Sequence, residues 1–306
     1  MANGATHAAY YIEEVTYGEI PASPTMIAVR HTDFDIGLDK DTIQSAEIRS
    51  DRNVTDLRMA QNKCGGSFGM EVLNDVGFET FMAAVFGSDW STGELVNGSV
   101  RKSFSMLRYF GDLGAGNKPY HLIKGIEFAT CDLKIPTSGI ATVSFDTIAK
   151  TYVPGATAPA TSTLTPATTT SPMDSFTGVV QEGGSVIGVI TEANIKFDNK
   201  MDRRFVIGSK DTLRPSQGKF SASGNITCYY ESAAMLDKFL ADSASSLSIQ
   251  LSNGSDTFTL DLPNIRYTGG RVPVKDDGPI TINMPFQAIY DATTGGGAKI
   301  TRNPTT

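Results

Sequence analysis

The sequence predicts a mainly β chain built from two units in tandem, each covered by one short helix. Three observations predict it. The first is an internal echo: Ile36-Gly-Leu-Asp39 returns as Ile195-Lys-Phe-Asp198 at an offset of 159, and Gln61-Asn-Lys63 returns as Gln217-Gly-Lys219 at 156. An apolar helical stripe of Phe78, Phe81 and Met82 returns as Leu236, Phe239 and Leu240 at 158. Matches in one order at a nearly constant offset mark a strand–loop–strand–helix unit used twice. The second is period-two apolar alternation in many short runs bounded by glycine and proline. The third is length, since 306 residues can bury one large core or two of about 100–150 residues each, and the echo favours two.

The expected divisions are an arm over residues 1–32, a first unit over 33–150, a linker over 151–175, a second unit over 176–292 and a tail over 293–306. The arm carries Tyr10, Tyr11, Tyr17, Pro21 and Pro24 and reads as a segment lying across a partner or its own unit, with disorder as the alternative. From Asp33 to Asp39 polar and apolar residues alternate as in a strand. A polar stretch follows, with Glu47, Arg49, Asp51, Arg52, Asp56 and Arg58 around isolated Ile48, Val54, Leu57 and Met59. A solvated tip needs the charges but not the apolar residues; a docking loop uses both.

Residues 65–72 read as a strand, and Asn74 or Asp75 is placed to cap the next helix. On that helix Phe78, Phe81, Met82 and Val85 share one face, and Gly87 ends it. Strands over 103–110, 120–133 and 140–149 complete the first unit. The Thr/Ser/Pro-rich residues 151–175 have too little apolar surface for a core and read as a linker, or as an extended strap over the surface. In the second unit strands are expected over 185–190, 193–197 and 219–230. Between them lies a second charged loop with Asp202, Arg203, Arg204 and Arg214. Leu236, Phe239 and Leu240 mark the covering helix, and 247–251 with 257–260 flank an Asn253-Gly254 turn as a β-hairpin. A last strand is expected over 280–289, and the tail is expected to be mobile unless a subunit holds it.

Composition excludes more than it proposes. Lys plus Arg is 26 against 33 Asp plus Glu, a net charge of −7, which argues against a surface that clamps phosphates. Cys64, Cys131 and Cys228 form no CxxC pair, so neither a disulfide scaffold nor a metal site is expected, and His7, His31 and His121 have no ligand spacing. No nucleophile elbow or phosphate-binding loop occurs, and Asp276-Asp277 sit in a turn by composition. No catalytic residue, cofactor, metal or membrane span is therefore expected, and the lack of a leader pattern at the start points to a reducing interior.

Glu13-Glu14-Val15-Thr16-Tyr17-Gly18, the run from Leu38 to Arg52, the strand and helix over 66–86, Val189-Ile190-Thr191 with Phe197-Asp198-Asn199, and the run from Met284 to Asp291 carry a resemblance. Together they resemble the major tail tube proteins of long-tailed bacteriophages with non-contractile tails. The resemblance implies two β-sandwich or small-barrel units, with inner strands of successive subunits closing around a lumen that passes DNA. It further implies rings stacked by long loops and termini, with a tape measure protein and a tail terminator as partners in the virion tail. Two units per chain would make a trimeric ring with pseudo-sixfold symmetry, a hexamer being the alternative. The two charged loops are the candidate stacking surfaces. A carbohydrate-binding or decoration β-sandwich, drawing on Tyr10, Tyr11, Trp90, Tyr229 and Tyr230, is the competing reading, with another head or baseplate component behind it.

Overall fold

The computed structural model describes residues 2–51, 53–274 and 277–303. The first half runs β1 (His7–Glu13), β2 (Thr25–Ala28), β3 (His31–Gln44), β4 (Leu57–Glu71), α1 (Val76–Phe86), β5 (Glu94–Val96), β6 (Phe104–Phe110), β7 (Tyr120–Ile135), β8 (Thr142–Ala149) and β9 (Thr151–Gly155). After β10 (Thr163–Thr165) come β11 (Asp174–Glu182), β12 (Ser185–Val186), β13 (Ile190–Asp198), β14 (Ser221–Tyr229), α2 (Ala234–Leu240), β15 (Ser245–Ser252), β16 (Thr257–Tyr267), β17 (Thr281–Ala288) and β18 (Lys299–Arg302). The chain is mainly β, with two short α-helices among the described residues.

The same connectivity occurs twice. In the first half the neighbours run β3–β4–β8–β7–β6–β1, and in the second β13–β14–β17–β16–β15–β11. The long strands β7 and β16 each serve two layers. The early part of β7 pairs with β6 and β9, and its later part with β8; β16 divides in the same way between β15 with β18 and β17. Register shifts fall at matching places, between Phe104 and Met106 on β6 and between Ser245 and Leu247 on β15. Each half thus bends its sheet into a sandwich whose inner faces are the apolar alternate residues.

One glycine position shows why the repeat persists in sequence. Ile36 pairs with Gly66, and Ile195 with Gly224. A Cβ on Gly66 would stand 2.0 Å from the Asp35 carbonyl oxygen, and one on Gly224 2.2 Å from that of Asn194. The strands approach too closely there for a side chain. This pairing aligns β4 with β14 at an offset of 158, so Gln61 and Lys63 correspond to Lys219 and Ser221. The Gln-x-Lys echo expected at 156 is two residues out of register, a slip that keeps each residue on the same face.

Asp75 caps α1, its Oδ1 accepting from Phe78 N at 2.8 Å, and Gly87 ends the helix at φ 61°. Phe78, Phe81, Met82 and Val85 are buried. The Phe81 ring meets Phe68, Phe104, Phe128 and Phe145, which fill the first sandwich. The second helix is shorter and packs less. Leu236 and Phe239 lie against the core with Met235, but Leu240 is 71% exposed. Leu240 is the last residue of this helix, where the stripe leaves the core, and its side chain stays on the solvent side.

The terminal and connecting segments are more ordered than their composition suggests. The arm contributes β1 and β2, which pair with each other, and β1 also pairs with β6. Residues 151–175 hold β9 against β7 and β10 parallel to β2, the strap alternative of the linker reading. In the tail β18 lies between β16 and β5, and Arg302 pairs with Glu79 while its guanidinium sits 4.7 Å from the Trp90 ring centre. Residues 304–306 and the paired-acid position Asp276 lie outside the described residues.

Candidate assembly surfaces

The two halves meet in one sheet. β13 pairs antiparallel with the later part of β7, from Ala193 opposite Ile135 to Asp198 opposite Thr130. Six strands of both halves therefore run on without a break as β3–β4–β8–β7–β13–β14, followed by β17. Their inward residues, among them Ile36, Phe68, Phe145, Leu133, Ile195 and Ile226, are buried. Their outward residues are polar. Asp33, Asp35, Asp39, Asp41, Glu71, Asp132, Asp146, Glu192 and Asp198 face out with Lys63, Lys134 and Lys196, nine acids against three lysines. Burial pushes the Asp132 carboxyl above its usual range, partly opposed by Lys196 at 3.8 Å across the seam.

The two charged loops emerge at one end of this sheet, because β3 and β13 run parallel and each turns back into its neighbour there. Glu47, Arg49, Asp51, Asp56 and Arg58 are exposed on the β3–β4 hairpin; Arg49 pairs with Asp51 at 3.0 Å and Arg58 with Asp56 at 2.6 Å. Arg52 lies outside the described residues. Apolar side chains share this tip: Ile48 is 98% exposed, and Ile43, Val54, Leu57 and Met59 are more than half exposed.

The second loop does less of what its composition suggests. It folds back onto the first half: Asn62 N donates to Lys210 O at 2.8 Å, Lys210 Nζ to Met59 O at 2.9 Å, and Arg203 Nη2 to Cys64 O at 3.0 Å. Arg214 Nε donates to Glu127 at 2.7 Å, and Arg204 to Arg214 O. Arg203 and Arg214 are thus bound within the chain, while Asp202 and Arg204 stay exposed beside Val206, Ile207 and Leu213.

Three buried acids escaped the sequence reading, and one of them, Glu182, accepts from Lys238 Nζ, Ser245 Oγ and Tyr267 Oη. Glu14 accepts from Gly18 N, Gly125 N, Ser103 Oγ and Ser105 Oγ at 2.7–2.8 Å, which ties the arm to β6 and β7. Glu127 is held by Arg101 and Arg214. Glu14 stood in a quoted motif; Glu127 had no local signal, as its partners are distant in sequence.

His7, His31 and Arg108 form a third cluster beside a cavity of about 330 Å³ that Asp33, Phe34 and Phe110 also line. His7 Nδ1 lies 2.8 Å from His31 Nε2, and Arg108 Nε donates to His7 Nε2 at 3.2 Å. Burial, then His31 and Arg108, lower the His7 pKa to about 4. Arg108 also donates from Nη1 to Ile36 O at 3.1 Å and from Nη2 to Phe34 O at 3.5 Å. Those carbonyls lie on the β3 edge away from β4, since the Asp35 oxygen is the one turned toward Gly66.

Two of the five aromatic residues named for a carbohydrate site are differently employed, while Tyr229 is exposed. Tyr11 is buried against Phe81, and Trp90 Nε1 donates to Glu79 O at 2.9 Å. Cys64, Cys131 and Cys228 are buried free thiols, and burial raises the pKa of each. Among the described residues no helix is long and apolar enough to cross a membrane.

A repeated β unit, an open sheet edge and a projecting hairpin describe a part that joins copies of itself. The family model for phage tail tube proteins matches residues 4–288. The chain belongs to this family. The match covers both halves together with the arm and the strap, so the repeat lies inside one family unit. No curated protein matches the chain. Membership makes the chain a structural protein of the bacteriophage virion tail that self-assembles into a tube.

Proposed function

We propose that the chain forms stacked rings of a long, non-contractile tail tube, three copies to a ring with pseudo-sixfold symmetry. The acid-rich polar face of the continuous sheet lines the bore through which DNA leaves. That face, nine acids against three lysines running across both halves, is the observation that carries the reading. A wall of like charge repels phosphates at short range, so DNA slides past without finding binding points. One seam inside each chain and one between chains would give six equal junctions from three copies, whereas six copies would give twelve. The division into units over 33–150 and 176–292 is part of this proposal.

The exposed β3–β4 hairpin, with Ile48 and Val54 among alternating charges, forms the stacking contact between rings. Apolar side chains supply affinity and the charges set register, while head-to-tail stacking does not close and so grows as a tube. The tube assembles in the host cytoplasm around a tape measure protein and ends at a terminator. Labelled duplex DNA and purified tubes test the lumen assignment. Wild-type tubes should retain little DNA, and Asp146→Lys with Glu192→Lys should create retention that falls steeply with salt. Equal retention by both would sink it.

A further inference from the structure

On the tube-building reading, the seam inside the chain is a template for the seam between chains. The repeat sends β13 onto β3 and the later part of β7 onto the stretch that follows β16. The second equivalence is fixed by backbone pairing, because Asp132 lies opposite Ser144 as Arg271 lies opposite Asn283. We propose that residues 34–39 of one copy pair antiparallel with residues 269–274 of the next, Ile36 opposite Val272 and Gly37 opposite Arg271.

The backbone groups are ready for this register. With the Asp35 oxygen turned toward β4, the groups of Phe34, Ile36 and Leu38 point off the open edge. Asn283 N donates to Arg271 O at 3.3 Å, so alternation points Gly270, Val272 and Val274 outward. Pro273, which has no N–H to give, falls on the inward set and removes no donor from the edge. The same residue one place earlier or later would have broken the ladder.

The charges fit as well. Gly37 stands between exposed Asp35 and Asp39 on one face, and Arg271 is exposed at the position facing them. Asp35 and Asp39 have no ion-pair partner among the described residues, and opposite charges across strands stabilise the pair. At the matching place in the internal seam, Lys196 pairs with Asp132 with the signs exchanged. In a lone chain Arg108 covers the Ile36 and Phe34 carbonyls, a placeholder for the neighbour's Val272 and Val274 amides. A covered edge resists wrong partners until the right strand arrives.

Paired cysteines test the register. A Cβ on Gly37 meets nothing within 4 Å, so Gly37→Cys is sterically free. Gly37 and Arg271 would form a close pair without ladder bonds between them, within disulfide reach. The native thiols are buried and do not compete. Assembled G37C/R271C protein should oxidise to covalent oligomers, and the two-residue-shifted control G37C/P273C should not. Rings that form without that cross-link, or that cross-link through the control, overturn the register. A wild-type chain that never forms rings overturns the tube reading beneath it. Should the cysteine variant misfold, R271D should lower the yield of assembly at least tenfold and D39R/R271D should restore it; absence of rescue also overturns the register.

Discussion

Glu127→Ala probes how the two halves are locked. The carboxylate is 1% exposed on β7 and accepts from Arg101 and from Arg214 Nε, while Arg101 Nη2 also donates to Pro215 O at 2.8 Å. One acid of the first half thereby holds the 201–217 loop of the second. Removing one partner of a buried ion pair costs about 3–5 kcal/mol, because the remaining charge stays uncompensated. Arg101 and Arg214 reach water, at 24% and 37% exposure, so hydration offsets part of that loss and the lower figure, about 3 kcal/mol, is expected. At roughly 2 °C per kcal/mol for a large domain, the midpoint of thermal unfolding should fall by about 6 °C. Trypsin should also cut faster at Arg203, Arg204 and Lys210, which the loop holds against the first half. The double variant with Arg214→Ala should lose less than the sum of the singles. A loss below about 1 kcal/mol with an unchanged tryptic pattern would refute the reasoning, since that is the scale of a surface pair.

Three further outcomes follow from the packing. Gly66→Ala and Gly224→Ala should each cost more than about 2 kcal/mol in denaturant unfolding, since a Cβ at either meets a carbonyl at 2.0 or 2.2 Å; near-neutral values would show the strands can part there. His7 has a folded pKa of about 4, below its unfolded value of 6.5, so the unfolded chain binds more protons between them and stability should fall as pH drops from about 6.5 toward 4. His7→Gln should flatten that slope in urea titrations, and an unchanged slope would remove His7 as its cause. Arg108→Ala should uncover the β3 edge and raise light scattering at early times relative to wild type; a slower or equal rise would mean the guanidinium does not guard it.

The repeat was legible because the same steric demand acts twice: Ile36 and Ile195 each pair with a glycine that cannot carry a side chain, and each half needs an apolar helix stripe. The cap at Asp75 and the stop at Gly87 were legible for the same local reason. The Asn253-Gly254 hairpin closes over residues 253–256, with Asn253 Oδ1 accepting from Ser255 N and Asp256 N. What stayed hidden is held by distant partners. β9, β10 and β18 are short strands held by the strands beside them, with Tyr152 and Ile300 as their core anchors, and nothing in the composition of residues 151–175 or 293–306 announces it. The acid face was partly hidden too, since it emerges only when alternate residues of six strands are laid side by side. Arg203 and Arg214 looked like members of one exposed charged loop with Asp202 and Arg204, yet their side chains bind Cys64 O and Glu127, more than eighty residues away. Leu240 failed for a different reason: the stripe repeats in sequence, but Leu240 is the last residue of α2 and its side chain is left to solvent.

Symmetry-resolved electron cryomicroscopy of assembled tubes tests the central claim most directly. Three chains per ring, with Asp146 and Glu192 toward the bore and six like seams around it, is the expected result. Rings of six chains, or a bore lined by the opposite face of the sheet, would contradict it.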